Sequence, residues 1–307
     1  MVGDTSAGGI LLDYRLEDLH PSVHQLLPML DRVAGGFTFT EGPVWRGSDL
    51  LFSDIPNSRT VRYRPLTEGP EVTTFRHPTG GANGLTLDRA GNLIACEQIG
   101  RQLTRVDASG QAQPLATHYE GKRLNSPNDV VVRSDGAIFF TDPPYGLRNF
   151  SDGKELAFNG VFRLDPNGAL TLVADDLDRP NGLAFSPDEK TLYVDDSARF
   201  HIRRFDVAPD GKLSGGDVWA ELKPRPDERG VPDGMKVNSQ GNVFCTGPGG
   251  VWIFSESGRV IGRIHMPEVT ANLAWGDADW CTLYMTASTS LYRLRVAVPG
   301  VRVGTAG

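Results

Sequence analysis

Short apolar runs broken by turns, with few long helical stripes, set the pattern of this chain. The clearest stretch runs from Arg179 to Asp196. It has an Asn-Gly step, an apolar run Leu183-Ala184-Phe185, a Ser-Pro-Asp turn, and a second run Leu192-Tyr193-Val194 that ends in Asp195-Asp196. The same order recurs after Asn83, Asn128 and Asp233, and in weaker form after Glu41 and Asn272. These six leading residues stand 42, 45, 53, 52 and 39 positions apart. A repeat of about 40 to 50 residues holding several short strands predicts a β-propeller with one four-stranded blade per repeat. Helical repeats of similar length would need sustained 3.6-residue periodicity, and Gly, Pro and Asp interrupt every run here.

The expected fold is therefore all-β, a six-bladed propeller. In such a ring the first strand of each blade lines the central channel, so Glu41, Asn83, Asn128, Asn181, Asp233 and Asn272 gather at one mouth. All six carry a side-chain oxygen. Turn preference accounts for an Asn or Asp taken singly, but poorly for Glu41. Convergent oxygen donors suit a hard cation, calcium ahead of magnesium, with manganese and zinc as further candidates. Second strands return to the same mouth and would bring Asp54, Glu97, Asp142 and Asp195 there. The loop after Asp142 is long and reads equally as a lid or a surface excursion; as a lid it would bring Tyr145, Arg148 and Glu155 to a polyhydroxylated ligand.

The ends are read separately. Residues 1–34 form an extension in which Leu16, Leu19, Val23, Leu26, Leu27 and Leu30 predict a short amphipathic helix. The ring is expected over 35–300 and a tail over 301–307. The last repeat lacks a fourth strand, so a strand near Gly35 to Thr40 is expected to close the ring. Trp45 and Trp275 are expected between blades.

Charge and cysteine content narrow the function. A net charge of −7 with a pI of about 5.4 argues against nucleic acid or anionic membrane partners. No apolar run is long enough to span a bilayer. Three cysteines without Cys-x-x-Cys spacing read as buried thiols of a reducing, cytoplasmic compartment. Oligomeric state is not legible.

Glu41-Gly42-Pro43-Val44-Trp45, Pro180-Asn181-Gly182-Leu183 and Pro232-Asp233-Gly234-Met235 resemble segments of the SMP-30/gluconolactonase/luciferin-regenerating-enzyme family of six-bladed propellers, and the resemblance runs from about Gly35 to Val296. Asn125-Ser126-Pro127-Asn128-Asp129 and Thr141-Asp142-Pro143-Pro144-Tyr145-Gly146 are most similar to its bacterial gluconolactonase branch. The resemblance implies Glu41, Asn181 and Asp233 as metal ligands, with Asn128 either a fourth ligand or a substrate holder. Asn83, Asn272 and Asp142 then support from behind. Ser126 occupies a substrate-contact position where the animal relatives carry Arg. The implied reaction is opening of a sugar lactone such as D-glucono-1,5-lactone, with the metal polarising the carbonyl and Asp233 or a metal-bound hydroxide activating water. A phosphotriesterase and a non-enzymatic calcium-binding or docking propeller are the competing readings; no Gly-x-Ser-x-Gly segment supports a serine nucleophile.

Overall fold

In the computed structural model, residues 30–304 and the two-residue strand Leu16–Glu17 are described. Six antiparallel sheets follow one another along the chain, each a blade. The innermost strands are Thr40–Arg46, Ala82–Leu87, Val130–Val132, Pro180–Phe185, Met235–Val237 and Thr270–Gly276. These strands are almost wholly buried, because they pack against the neighbouring blades and against the channel. The second strands, such as Ile138–Asp142 and Thr191–Asp196, are buried along their whole length. Two buried faces explain their unbroken apolar character in sequence. Polar alternation appears further out, as in Gln102–Val106.

The chain's two ends meet in the last blade. Its sheet order places Asp31–Gly35 outside Ser290–Arg295, Thr282–Ala287 and Thr270–Gly276, so an N-terminal strand closes the ring as expected. Its position differs from the expectation of Gly35 to Thr40. Only Asp31–Gly35 pairs with Ser290–Arg295; Gly36, in a positive-φ conformation that Gly adopts readily, turns the chain away toward the first inner strand. Arg32 Nε donates to Ser290 Oγ at 2.8 Å and Asp31 pairs with Arg293 at 3.2 Å, fixing the register. Leu16–Glu17 is strand, not helix, and adds to the outer edge of the fifth blade against Arg263 and Ile264. The rest of the expected helix lies outside the described residues.

Interblade packing is aromatic where the sequence placed tryptophans. Trp45 stacks on Tyr284 of the sixth blade at 5.6 Å, and Trp275 meets Phe244 of the fifth edge-on at 4.9 Å. Cys96 and Cys245 are buried free thiols and Cys281 is half-buried. At the end of the channel away from the gathered acids lies an apolar cavity of about 120 Å³, walled by Val44, Leu85, Val130 and Trp275. The segment Val301–Gly304 crosses it, with the Val301 amide donating to Val237 O at 3.2 Å and Gly304 lying against Leu87. Among the described residues no helix is long and apolar enough to cross a membrane.

The closing strand predicts a stability experiment. A chain starting at Gly36 loses four backbone pairings and two side-chain contacts relative to one starting at Asp31. At about 1 kcal/mol per hydrogen bond the expected loss is about 4 kcal/mol, a fall in Tm of about 10 °C. Differential scanning calorimetry of the two chains checks it, and equal Tm values would mean that the strand contributes nothing to closure.

Candidate active site

The six leading residues do meet at one mouth. Glu41, Asn83, Asn128, Asn181 and Asn272 are buried, at 5% exposure or less, while Asp233 keeps part of its surface open. Asn83 Nδ2 donates to Asn128 Oδ1 at 2.7 Å, and Asn128 Nδ2 donates in turn to Asn181 Oδ1. Asn181 Nδ2 donates to Ser197 Oγ at 3.0 Å, and Ser197 donates to Pro232 O at 2.6 Å, the residue before Asp233. On the other side Asn272 Nδ2 donates to Glu41 Oε2 at 3.0 Å. The Glu41 and Asp233 carboxyls meet directly. A connected ring of amides and acids thus surrounds the channel axis.

Backbone clamps aim these side chains. Asp54 accepts from the amides of Thr38 and Phe39 at 3.1 and 3.4 Å. Asp142 accepts from Asn125 and Ser126 at 2.7 and 2.6 Å. Asp196 accepts from Asp178 and Arg179 at 2.7 and 3.1 Å. In each case the carboxylate ends a second strand and grips the amides three and two residues ahead of Glu41, Asn128 or Asn181. Such charge-assisted bonds contribute about 1.5–3 kcal/mol each. The terminal acids therefore act mainly by pinning the backbone. In the fourth blade that acid is Asp196, whereas Asp195 turns inward, beside Gly182 and 3.8 Å from Cys245 Sγ. Glu97 is held by Arg76 at 2.8 Å and Gln102 at 2.6 Å.

Close approach of the blades needs the glycine after the leading residue. A Cβ on Gly42 would lie 2.0 Å from Asn83 O, and one on Gly182 would lie 2.0 Å from Asp233 O.

The long loop contributes selectively. The hydroxyl of Tyr145 meets that of Ser197, with Asp233 and Asp195 in electrostatic reach. Ser126 is wholly buried and its hydroxyl accepts from Gly146 N at 2.6 Å, which holds the loop down. Arg148 is exposed in the one-turn helix Arg148–Phe150, and exposed Glu155 accepts from Arg123 N at 2.8 Å; neither touches the six leading residues. Residues that the sequence did not single out complete the ring. Gln98 Nε2 donates to Asn128 Oδ1 at 2.7 Å, and Lys236 Nζ stands 3.4 Å from Asn272 Oδ1 and 3.8 Å from Asp129 Oδ2. Gln98 and Ser197 each follow directly on a second strand, a position the repeat itself marks.

Burial, and next to it Asp129, raises the Glu41 carboxyl from 4.5 to about 7, while the Gly42 amide and Asn272 oppose the rise. Burial, then the charges of Glu41 and Asp195, pushes Asp233 well above the ordinary range. Burial also raises Asp142 to about 7 against the pull of its two amide donors. Two carboxyls in contact need a shared proton or a cation. The free lone pairs define which oxygens could hold one. Asn128 Oδ1 already accepts two hydrogen bonds, from Asn83 and Gln98, whereas Asn181 Oδ1 accepts only one. Glu41, Asp233 and Asn181 could offer oxygen donors to a hard cation, and the buried Asn83 Oδ1 and Asp195 Oδ1, which accept no hydrogen bond, are further candidates. Among the described residues no three His, Cys, Asp or Glu side chains group to hold a metal, so any such set must include amide oxygen.

The model of the SMP-30/Gluconolactonase/LRE-like region matches residues 39–289, from the first inner strand to the last blade. The chain belongs to that family. Within it, a gluconolactonase of Zymomonas mobilis is 35% identical over 296 residues, covering 88% of this chain and 82% of that protein. A pentonolactonase of Haloferax volcanii is 28% identical over 81% of each chain. The solved gluconolactonase of Xanthomonas campestris superposes with a TM-score of 0.83 at 36% identity, covering 92% of this chain and 95% of that one. SMP-30/gluconolactonase family membership and the propeller thus agree.

Two outcomes follow from this geometry. Gly182→Ala forces the fourth and fifth blades apart at the mouth and is expected to cost about 3 kcal/mol, lowering Tm by about 8 °C; an unchanged Tm would contradict the tight approach. In chelator, Glu41 and Asp142 bind protons more strongly folded than unfolded, so stability is highest below about pH 4 for these groups and falls as pH rises to about 7. Calorimetric Tm values between pH 4 and 8 check the slope, and Glu41→Gln should flatten it.

Proposed function

We propose that the mouth hydrolyses a sugar lactone with a divalent cation, calcium by preference, held by Glu41, Asp233 and Asn181. That the chain is a lactonase follows from its family and from relatives named as a gluconolactonase and a pentonolactonase. The observation that carries the finer reading is the direct meeting of the Glu41 and Asp233 carboxyls beside a free amide lone pair on Asn181. Three oxygen donors and no sulfur or imidazole suit a hard cation. When bound, such a cation supplies stabilisation for the negative charge that grows on the ring carbonyl oxygen.

The chain's own residues account for the rest. Asp233 is the leading residue that keeps part of its surface open to solvent, and in this reading it takes the proton from the attacking water. Burial and the neighbouring Glu41 and Asp195 charges raise its affinity for a proton, and a cation held beside it would lower that affinity again. Asn272 and the Gly42 amide hold Glu41 from turning away. Asn128 keeps the Asn181 oxygen in place, and Ser197 ties Asn181 to the backbone that carries Asp233. Tyr145 covers one side of the mouth and limits water. Opening the ring releases the alcohol oxygen, which recovers a proton as the carboxylate product forms.

Acid release from D-glucono-1,5-lactone, followed by a pH indicator, tests the reading. Chelation is expected to lower the rate at least about 100-fold, with recovery on adding calcium. Asp233→Asn is expected to lower kcat by about 10²–10⁴-fold. Full turnover in Asp233→Asn with calcium still bound by calorimetry would remove Asp233 from the proton transfer.

A further inference from the structure

The mouth is rich in acceptors. Glu41, Asp233, Asp195 and the Asn181 oxygen all offer lone pairs, and a polyhydroxylated ring also needs donors for its own oxygens. Arg179 supplies them. Its guanidinium carbon lies 5.0 Å from the centroid of the Phe150 ring, which meets Tyr145 edge-on at 5.9 Å. Arg179 is also within electrostatic reach of the Tyr145 hydroxyl, as are Asp233 and Asp195.

Among the described residues this guanidinium meets no carboxylate and donates no hydrogen bond. Arg59, Arg76, Arg203 and Arg263, by contrast, are each paired with an acid at 2.9 Å or less. In a chain of net charge −7, a half-buried arginine stacked on an aromatic ring and left without an acid has its donors free for a ligand. Its backbone is fixed on both sides: Arg179 N donates to Asp196 at 3.1 Å, Arg179 O accepts from Ser197 N at 3.1 Å, and Pro180 follows. The side chain therefore springs from one of the most constrained points of the rim, two residues before Asn181.

We infer that Arg179, braced on Phe150, is a substrate-binding and specificity-determining residue. Its guanidinium donates to hydroxyl oxygens of the lactone on the side away from the Glu41–Asp233 pair. This assignment rests on the lactonase reading and narrows its substrates to lactones bearing hydroxyls at that end. Guanidinium has donors only, and a planar fork matches two neighbouring oxygens, so adjacent hydroxyls are preferred to a lone one.

The test compares D-glucono-1,5-lactone with unsubstituted δ-valerolactone in the wild type, Arg179→Gln and Arg179→Lys. A charged donor pair corresponds to about 10–100-fold in binding. Arg179→Gln is expected to raise KM for the gluconolactone about 30-fold with kcat changed less than about 3-fold. The ratio of kcat/KM between the two rings should fall about tenfold, with Arg179→Lys between wild type and Gln. Phe150→Leu, which removes the brace but keeps the donors, should raise KM by a smaller factor. Competitive inhibition by gluconate should weaken about tenfold in Arg179→Gln. Equal losses on both rings, or a lowered Tm with unchanged KM, would reduce Arg179 to a packing residue and overturn the assignment alone. A wild type that opens neither ring would overturn the lactonase reading, and this assignment with it.

Discussion

A carboxylate closing two successive backbone amides is the interaction on which the mouth depends. Propeller blades deliver six chain segments to one axis, but delivery alone leaves each entry loop free to swing. Asp54, Asp142 and Asp196 remove that freedom at the same offset in three blades, gripping the amides three and two positions ahead of Glu41, Asn128 and Asn181. Each clamp is itself buried, so its hydrogen bonds face little competition from water. Holding the entry backbone in this way limits the entropy lost when an ion or substrate arrives. Asp233 is positioned differently. It follows Pro232, whose carbonyl is tied to Ser197, and so its restraint comes from the neighbouring blade.

The arrangement concentrates negative charge where burial disfavours it. Glu41, Asp129, Asp195 and Asp233 influence one another, and Lys236 is the cation set among them. Burying like charges at close range costs stability unless protons or cations offset them. Function sites commonly retain such strain. The SMP-30/gluconolactonase fold carries it on rigid inner strands whose aromatic interblade contacts, such as Trp45 on Tyr284, do not involve the mouth. Stability and chemistry are therefore housed in different layers of the same blade.

Much of this was legible in the sequence because a propeller writes its geometry as a period. The recurring order of strand, turn and strand behind an oxygen-bearing residue gave both the blade count and the leading residues, Asn-Gly or Asp-Gly steps marking Asn83, Asn181 and Asp233, and the two tryptophans fell between blades as their size required. The acids ending second strands were recognisable, but which one faces backbone was not. Asp195 and Asp196 are adjacent and point to opposite sides of their strand, so a one-residue difference exchanges their roles. Gln98, Ser197 and Arg179 escaped notice because each acts through contacts made across blades; the place directly after a second strand marked Gln98 and Ser197, whereas nothing local distinguishes Arg179 from loop polarity. Ser126, Arg148 and Glu155 show the converse. Their types suit a sugar, yet in the folded loop after Asp142 the Ser126 hydroxyl lies buried against Gly146, and Arg148 and Glu155 are exposed and do not touch the six leading residues. The closing strand lay a few residues earlier than expected because Gly36 breaks it, and a turn at Gly is as easily read as a strand start.

The segment Val301–Gly304 gives the channel a floor. Valine and tryptophan side chains, with Val301–Gly304 laid against them, narrow that end to a largely apolar space of about 120 Å³. A polyhydroxylated molecule would shed hydration without recompense there, so the polar route past Asp233 and Tyr145 is the favoured way in and out.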